Sequence, residues 1–195
     1  MNERIANLIA LELVELPFLT KCCGCVKILT TRDKKKFPIS TLVHFESEEM
    51  CEQEDGYVLM TPESKQTGVS FFEDLGTNPG PVGSTVRSYK GSLKLTVWIN
   101  RDKIGDDTPT HELKYVVLAA VHGLVVPSDG FSLVSRMKVV QEYPESPSAF
   151  AKYSFDEERT QFLSPPYDHF SFKVQYTAAV SKNCAPTITL NPKQC

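Results

Sequence analysis

The chain lacks the compact sequence signatures that carry most enzyme chemistry. It contains no G-x-S-x-G turn to present a nucleophilic serine, no G-x-x-x-x-G-K-[ST] phosphate loop and no G-x-G-x-x-G dinucleotide turn. The glycine-rich stretch Gly76–Gly83 carries Pro79 and Pro81, which remove backbone N–H donors that a phosphate cradle requires. His111-Glu112 opens like the zinc motif H-E-x-x-H, but Tyr115 stands where the second histidine belongs. There is one tryptophan, Trp98, and there are four histidines, His44, His111, His122 and His169. Asp168 and His169 are adjacent on an extended segment, so their side chains point to opposite faces and make a poor catalytic pair.

Long apolar runs are absent as well. No stretch approaches the roughly 18 residues of a membrane span. Glu3, Glu12 and Glu15 interrupt the apolar character of residues 1–16, and no small-residue cleavage site follows. These features predict a soluble protein made in a cytoplasm, with no secretory leader and no membrane partner. Basic residues are not in excess: 21 Lys and Arg against 24 Asp and Glu give a net charge of −3. General nucleic-acid affinity rests on phosphate neutralisation and is not indicated. The one basic run, Arg32-Asp33-Lys34-Lys35-Lys36, reads as a solvated turn.

The six cysteines are Cys22, Cys23, Cys25, Cys51, Cys184 and Cys195. Their clustering differs from a secreted disulfide framework, so reduced thiols are expected. Cys23-Gly24-Cys25 is one residue too tight for a zinc knuckle, and no C-x₂-C or H-x₃-H partner exists. Small residues packed on a strand are the simpler reading. A Cys25–histidine nucleophile pair has no local signature behind it. The expectation is therefore a protein that is not an enzyme, with no catalytic residue, no cofactor and no metal.

What the chain does have is a strong pattern of strands and helices. In 92–100, Leu93, Leu95, Val97 and Ile99 alternate with Lys94, Thr96, Trp98 and Asn100, the period of a strand with one buried face. A polar loop at 101–108 leads to Leu113, Val116, Val117, Ala120, Val121 and Leu124 at helical spacing. Thr108 or Thr110 is placed to cap that helix, with Pro109 in its first turn, Gly123 weakening its end and Pro127 stopping it. A first helix is expected over 2–14, capped by Asn2 and ended by Pro17. Residues 18–30 and 37–45 read as a hairpin with a charged tip, and 57–60 as a short strand. Residues 131–143 return as a strand with Val134, Met137, Val139 and Val140 apolar. The last strand, 168–180, alternates Phe170, Phe172, Val174, Tyr176, Ala178 and Val180 with Ser171, Lys173, Gln175 and Thr177. The fold class implied is α+β: a mixed, mainly antiparallel sheet flanked by two or three helices, with long loops. No repeat or linker divides the chain, which reads as one domain over 1–183 and a polar tail over 184–195.

Two segments, 46–60 and 76–91, suggest contacts, and two aromatic sites add to them. Residues 46–55 hold six carboxylates, Glu46, Glu48, Glu49, Glu52, Glu54 and Asp55, a block that must stay solvated or line a negative surface. Residues 76–91, rich in glycine and proline, read as a long loop excursion that binds something or reaches a neighbour. Phe71 and Phe72 are consecutive, so one faces outward or meets a partner. Trp98, on the polar face of its strand, either packs under a loop or sits in an interface.

The order helix, hairpin, long loop, strand, helix, strand, aromatic segment and strand resembles the tail-terminator and head–tail completion proteins of tailed double-stranded DNA bacteriophages. The resemblance rests on Leu93–Trp98 leading to the helix Leu113–Leu124, on Thr160-Gln161-Phe162-Leu163-Ser164-Pro165-Pro166-Tyr167, and on the strand Phe170–Val180. It implies a structural virion protein at the phage neck, assembled in the host cytoplasm. Such a protein would form a homo-oligomeric ring, typically a hexamer, between tail-tube and connector proteins, with DNA passing non-specifically through its lumen. On that reading Phe71, Phe72, Pro79, Pro81, Arg87, Tyr89 and Trp98 are interface candidates. Glu48, Glu49, Glu52, Glu54 and Asp55 are lumen candidates, where like charge would let DNA slide. The other readings are a monomeric adaptor of another phage structural assembly and a small thiol- or zinc-dependent enzyme.

Overall fold

The computed structural model describes residues 1–41, 43–45, 57–82, 86–104, 108–125, 132–134, 137–143, 150, 152–154 and 161–181. The elements are α1 (Asn2–Leu13), β1 (Lys21–Cys25), β2 (Lys27–Thr30), β3 (Lys36–Ser40), β4 (Val43–Phe45), β5 (Val58–Leu59), β6 (Gly68–Val82) and β7 (Val86–Asn100). They continue with α2 (Arg101–Ile104), α3 (Thr110–Val121), β8 (Ser132–Val134), β9 (Lys138–Tyr143), a 3₁₀ turn (Gln161–Leu163) and β10 (Tyr167–Ser181). The fold is α+β. A large mixed sheet runs β4-β1-β6-β7-β10-β8, with β9 also paired to β10, and a small antiparallel sheet runs β2-β3-β5. Only the β1–β6 pairing is parallel.

Strand β7 is the centre. It pairs with β10 from Asn100↔Tyr167 to Val86↔Ser181, and with β6 from Ile99↔Gly68 to Arg87↔Val82. This register stacks Phe72, Leu95 and Phe172 in one row and Phe71, Thr96 and Ser171 in the next. The first row joins Leu93, Val97, Ile99, Phe170 and Val174 under α1 and α3, which contribute Ile5, Ile9, Leu13, Leu113, Val117 and Val121. The second face carries Val69, Phe71 and Trp98 beneath Val58, Met60, Phe150 and Tyr153. Both faces of the sheet are therefore covered at this end.

Several local expectations give way to tertiary contacts. Residues 76–82 and 86–91 are not a loop but the distal halves of β6 and β7, and 83–85 lie outside the described residues. The prolines are tolerated because β1 pairs with β6 only as far as Phe72, leaving the rest of β6 an edge strand. Register shifts between Asp74 and Thr77 and between Pro79 and Val82 absorb the irregularity. Gly76 sits at the first with φ +99°, a conformation that only glycine adopts cheaply.

Residues 37–45 are not one strand: β3 ends at Ser40, and β4 joins β1 in the large sheet. Residues 131–143 contain two strands, β8 and β9. Met137 is fully buried, but Val140, beside a register shift, is exposed. The loop after Asn100 begins with the helical turn α2.

Neither helix has the expected cap. Met1 is the N-cap of α1, because the Asn2 amide is drawn away to Asp74 and to the Gly76 carbonyl at 3.2 Å, while its Oδ1 accepts from the Tyr176 hydroxyl. Pro109 is the N-cap of α3, and Thr110 Oγ1 instead donates to Asp168 Oδ2 at 2.5 Å.

If Phe71 and Phe72 both belong to the interior, Phe71→Ala and Phe72→Ala each lower unfolding free energy by about 3–5 kcal/mol. Urea melts measure this. A loss below about 1 kcal/mol for either would contradict its burial.

Candidate assembly surface

The sequence-derived interface residues separate into two groups. Phe71, Phe72 and Trp98 are corrected to core residues, at 1%, 0% and 0% exposure. The physical reason is the second cover. Trp98 stacks on Tyr167 with ring centroids 5.2 Å apart and meets Phe162 edge-on, while its Nε1 donates to the Phe162 carbonyl at 2.6 Å. Phe71 meets Phe150 and Tyr153 edge-on at 6.0 and 5.9 Å. Pro79, Arg87 and Tyr89 remain on the distal sheet. The register puts Pro79 beside Tyr89 and Val82 beside Arg87, so the three share one region of one face. Pro79 and Arg87 are exposed and Tyr89 is half-buried. Pro81 lies on the same stretch of β6, and its side chain is outside the described residues. The lumen candidates Glu48, Glu49, Glu52, Glu54 and Asp55 also lie outside them.

The cysteines occupy alternate faces of β1. Cys22 is in the core beneath the helices and Cys23 in the core beneath the small sheet. Burial pushes the Cys22 and Cys25 thiols up to about 12 and raises Cys23 as well. All three are protonated at neutral pH, and Cys22 and Cys23 are inaccessible, so neither supplies the thiolate that nucleophilic chemistry needs. Among the described residues, no three His, Cys, Asp or Glu side chains converge as a metal site requires. Asp168 and His169 point to opposite faces. Asp168 accepts from Thr110 and lies 3.7 Å from Arg101, whereas His169 is buried against Phe150 with neither ring nitrogen hydrogen-bonded.

Two polar features escape a one-dimensional reading. The first is a cluster around Glu73, which is 7% exposed. Its Oε1 accepts from the Tyr153 hydroxyl at 2.8 Å and its Oε2 lies 2.7 Å from Lys152 Nζ. Burial and the Glu73 charge both raise the Tyr153 pKa. Burial lowers that of Lys94, against the opposing pull of Glu73. Both carboxylate oxygens have a partner, so the cluster fastens residues 152–154 to the sheet. The Lys21 ammonium does the same for the small sheet, donating to the Leu59 carbonyl at 2.7 Å.

The second feature is a groove of 450 Å³ on the distal sheet, lined by Asn78, Lys90, Ser92, Lys138, Gln175 and Thr177 among others. The register explains its composition. Lys90 lies opposite Thr177 and Asn78, Ser92 opposite Gln175, and Gln175 opposite Lys138. All stand on the face that carries Trp98 and Thr96 further along β7, past the end of the small sheet's cover. The alternation of Lys94, Thr96 and Trp98 shows the polar side in sequence. The pairing of β7 with β6, and of β10 with β9, has no sequence signal.

Comparison with models of known protein families and with curated proteins finds no match.

The thiols predict alkaline lability. An unfolded thiol ionises near 9.0, whereas Cys22 in the fold does so at about 12. Unfolding therefore releases protons above pH 9, and stability falls as pH rises. The contribution is complete below pH 9 and lost progressively toward pH 12, at about 1.4 kcal/mol per pH unit for each buried thiol. Urea melts at pH 7 and pH 10 measure it. Cys22→Ser, which removes the ionisable group, should flatten the dependence, and an unchanged slope would contradict it.

Proposed function

We propose that the chain is a non-enzymatic structural subunit of a phage virion, forming a homo-oligomeric ring at the head–tail junction or the head-proximal end of the tail. The ring lets DNA pass and contacts tail-tube and connector proteins. The observation that carries this reading is the length of the central strands relative to their cover. Strands β6, β7 and β10 have 15 residues each, about 50 Å at about 3.3 Å per residue. Helix α1, with 12 residues, spans only about 18 Å at about 1.5 Å per residue. The strands outrun the helix packed on them, and their distal ends form an arm carrying Pro79, Arg87 and Tyr89. Such an arm suits contact with a neighbouring subunit.

A second exposed surface supports the same reading. Tyr115 and Val116 on α3 are 67% and 43% exposed, large apolar side chains on the surface of the described residues. No helix among the described residues is long and apolar enough to cross a membrane.

Sedimentation analysis of the purified chain tests the proposal. The wild type is expected to be oligomeric, and Arg87→Glu/Tyr89→Ala to associate at least about tenfold more weakly, about 1.4 kcal/mol, with an unchanged circular dichroism spectrum. A wild type that stays monomeric to its solubility limit, alone and with tail-tube and connector proteins, would overturn it.

A further inference from the structure

Resting on the ring reading, we propose that the groove face of the arm binds the phosphate backbone of double-stranded DNA. Lysines, rather than carboxylates, would then meet the duplex that the ring lets pass. The observation is a collection of like charge that only the sheet register assembles. Lys90 lies opposite Thr177, Lys94 opposite Lys173, and Gln175 opposite both Ser92 and Lys138. Residues paired across strands share a face. Alternation along β7 and β10 turns these away from Leu93 and Val174, which pack under α1 and α3. Four lysines from three strands therefore stand on one stretch of one face, in a chain whose net charge is −3.

The acids of the same strands are mostly elsewhere. Asp74 and Glu142 pair with Leu93 and Phe172 and so stand on the helix face, where Glu142 meets Lys114. Glu73 shares the lysines' face opposite Lys94, but it is already held by Lys152 and Tyr153. Lys94 Nζ lies over the Tyr143 ring, 5.5 Å from its centroid. Among the described residues, no ion pair engages Lys90, Lys138 or Lys173. Like charges directly opposite each other destabilise a sheet, and Lys94 with Lys173 is such a pair. A bound polyanion turns that cost into attraction.

The spacing selects the polyanion. Lys90 and Lys94 are about 13 Å apart at about 3.3 Å per residue, and Lys138 lies about 10 Å to the side, two strands out at about 4.8 Å each. A small anion would meet one or two of these groups. A DNA strand carries a phosphate about every 3.4 Å and can meet them all. The 450 Å³ groove is lined by Lys90 and Lys138 with the hydroxyls of Ser92 and Thr177 and the amides of Asn78 and Gln175. Such groups hydrogen-bond phosphate oxygens and position a duplex without reading its sequence. Tyr143 is the one partly exposed aromatic ring on this stretch among the described residues, and Lys94 covers it. A face with no free ring for bases to stack on suits a duplex rather than a single strand.

Fluorescence anisotropy of a labelled random-sequence DNA duplex with the full chain tests this. The wild type should bind, and log affinity should fall against log salt concentration with a slope of magnitude at least about 2.7, about 0.9 for each of three phosphate contacts. Lys90→Gln/Lys138→Gln/Lys173→Gln should bind at least tenfold more weakly, with a flattened slope. Lys27→Gln/Lys34→Gln/Lys36→Gln removes the same charge from exposed positions on the small sheet and its turn, and should leave binding unchanged. Circular dichroism and thermal melts confirm that each variant is folded.

No duplex binding at low salt, binding that survives the first set of substitutions, or equal loss with the second set would overturn the inference. So would polyglutamate that displaces the duplex as well as unlabelled duplex does at equal charge, which would reassign the lysines to an acidic protein surface. Sedimentation of the same proteins keeps the two readings apart. An oligomeric wild type whose duplex binding ignores these lysines leaves the ring standing and overturns the inference. A monomeric wild type that binds duplex through them removes the ring and supports the face as a duplex site.

Discussion

The register of β7 between β6 and β10 is the constraint on which the rest of the molecule depends. Every residue from Val86 to Asn100 has a partner on β10, and most have one on β6. A slip of one position would turn Leu93, Leu95, Val97 and Ile99 away from α1 and α3, and send Lys94, Thr96 and Trp98 into their place. The cost would be borne on both faces, because both are covered. This is why the register is strongly specified, and why consecutive aromatic residues at 71 and 72 are both interior. Phe72 belongs to the helix side and Phe71 to the small-sheet side. The buried charges secure the second cover. Glu73 holds Tyr153 and Lys152, and Lys21 holds Leu59. Each ties a segment with few strand contacts of its own to the central sheet.

The arm follows from the same register. Pairing between β7 and β10 continues without interruption past the point where α1 ends, at Asn2 beside Asp74 and Tyr176. Beyond that point the composition changes, although Ala178, opposite Tyr89, is still fully buried. Tyr89, Arg87 and Pro79 replace the leucines and phenylalanines on one face, and Lys90, Ser92 and Gln175 occupy the other. On the β6 edge, Pro79 and Pro81 remove two N–H donors. That edge is a poor template for indiscriminate strand addition.

Much of this was legible in the residues, and what was not has identifiable causes. The alternation in 92–100 and 168–180 located two of the three long strands, and the apolar stripe with Pro109 and Gly123 located α3. These signals are local. The errors are all places where a distant segment decides. Gly76, Pro79 and Pro81 signal a loop unless β6 is known to be an edge strand there. Asn2 and Thr110 signal caps unless Asp74, Tyr176 and Asp168 arrive from elsewhere in the chain. Trp98, on the polar face of its strand, suits core and interface alike in sequence, and only the position of Phe162 and Tyr167 places it in the core. The candidate surface was half visible. Arg87 and Tyr89 were identified, but Lys90 and Lys138 become neighbours only through β10 and the irregular pairing of β9.

An extension of a sheet beyond its own core faces a conflict between contact area and solubility. A long apolar strand pair would bind strongly, but it would also pair with itself and with unfolded chains before assembly. This arm carries lysines and hydrogen-bonding side chains on its groove face, so it offers no long apolar strand pair for indiscriminate association.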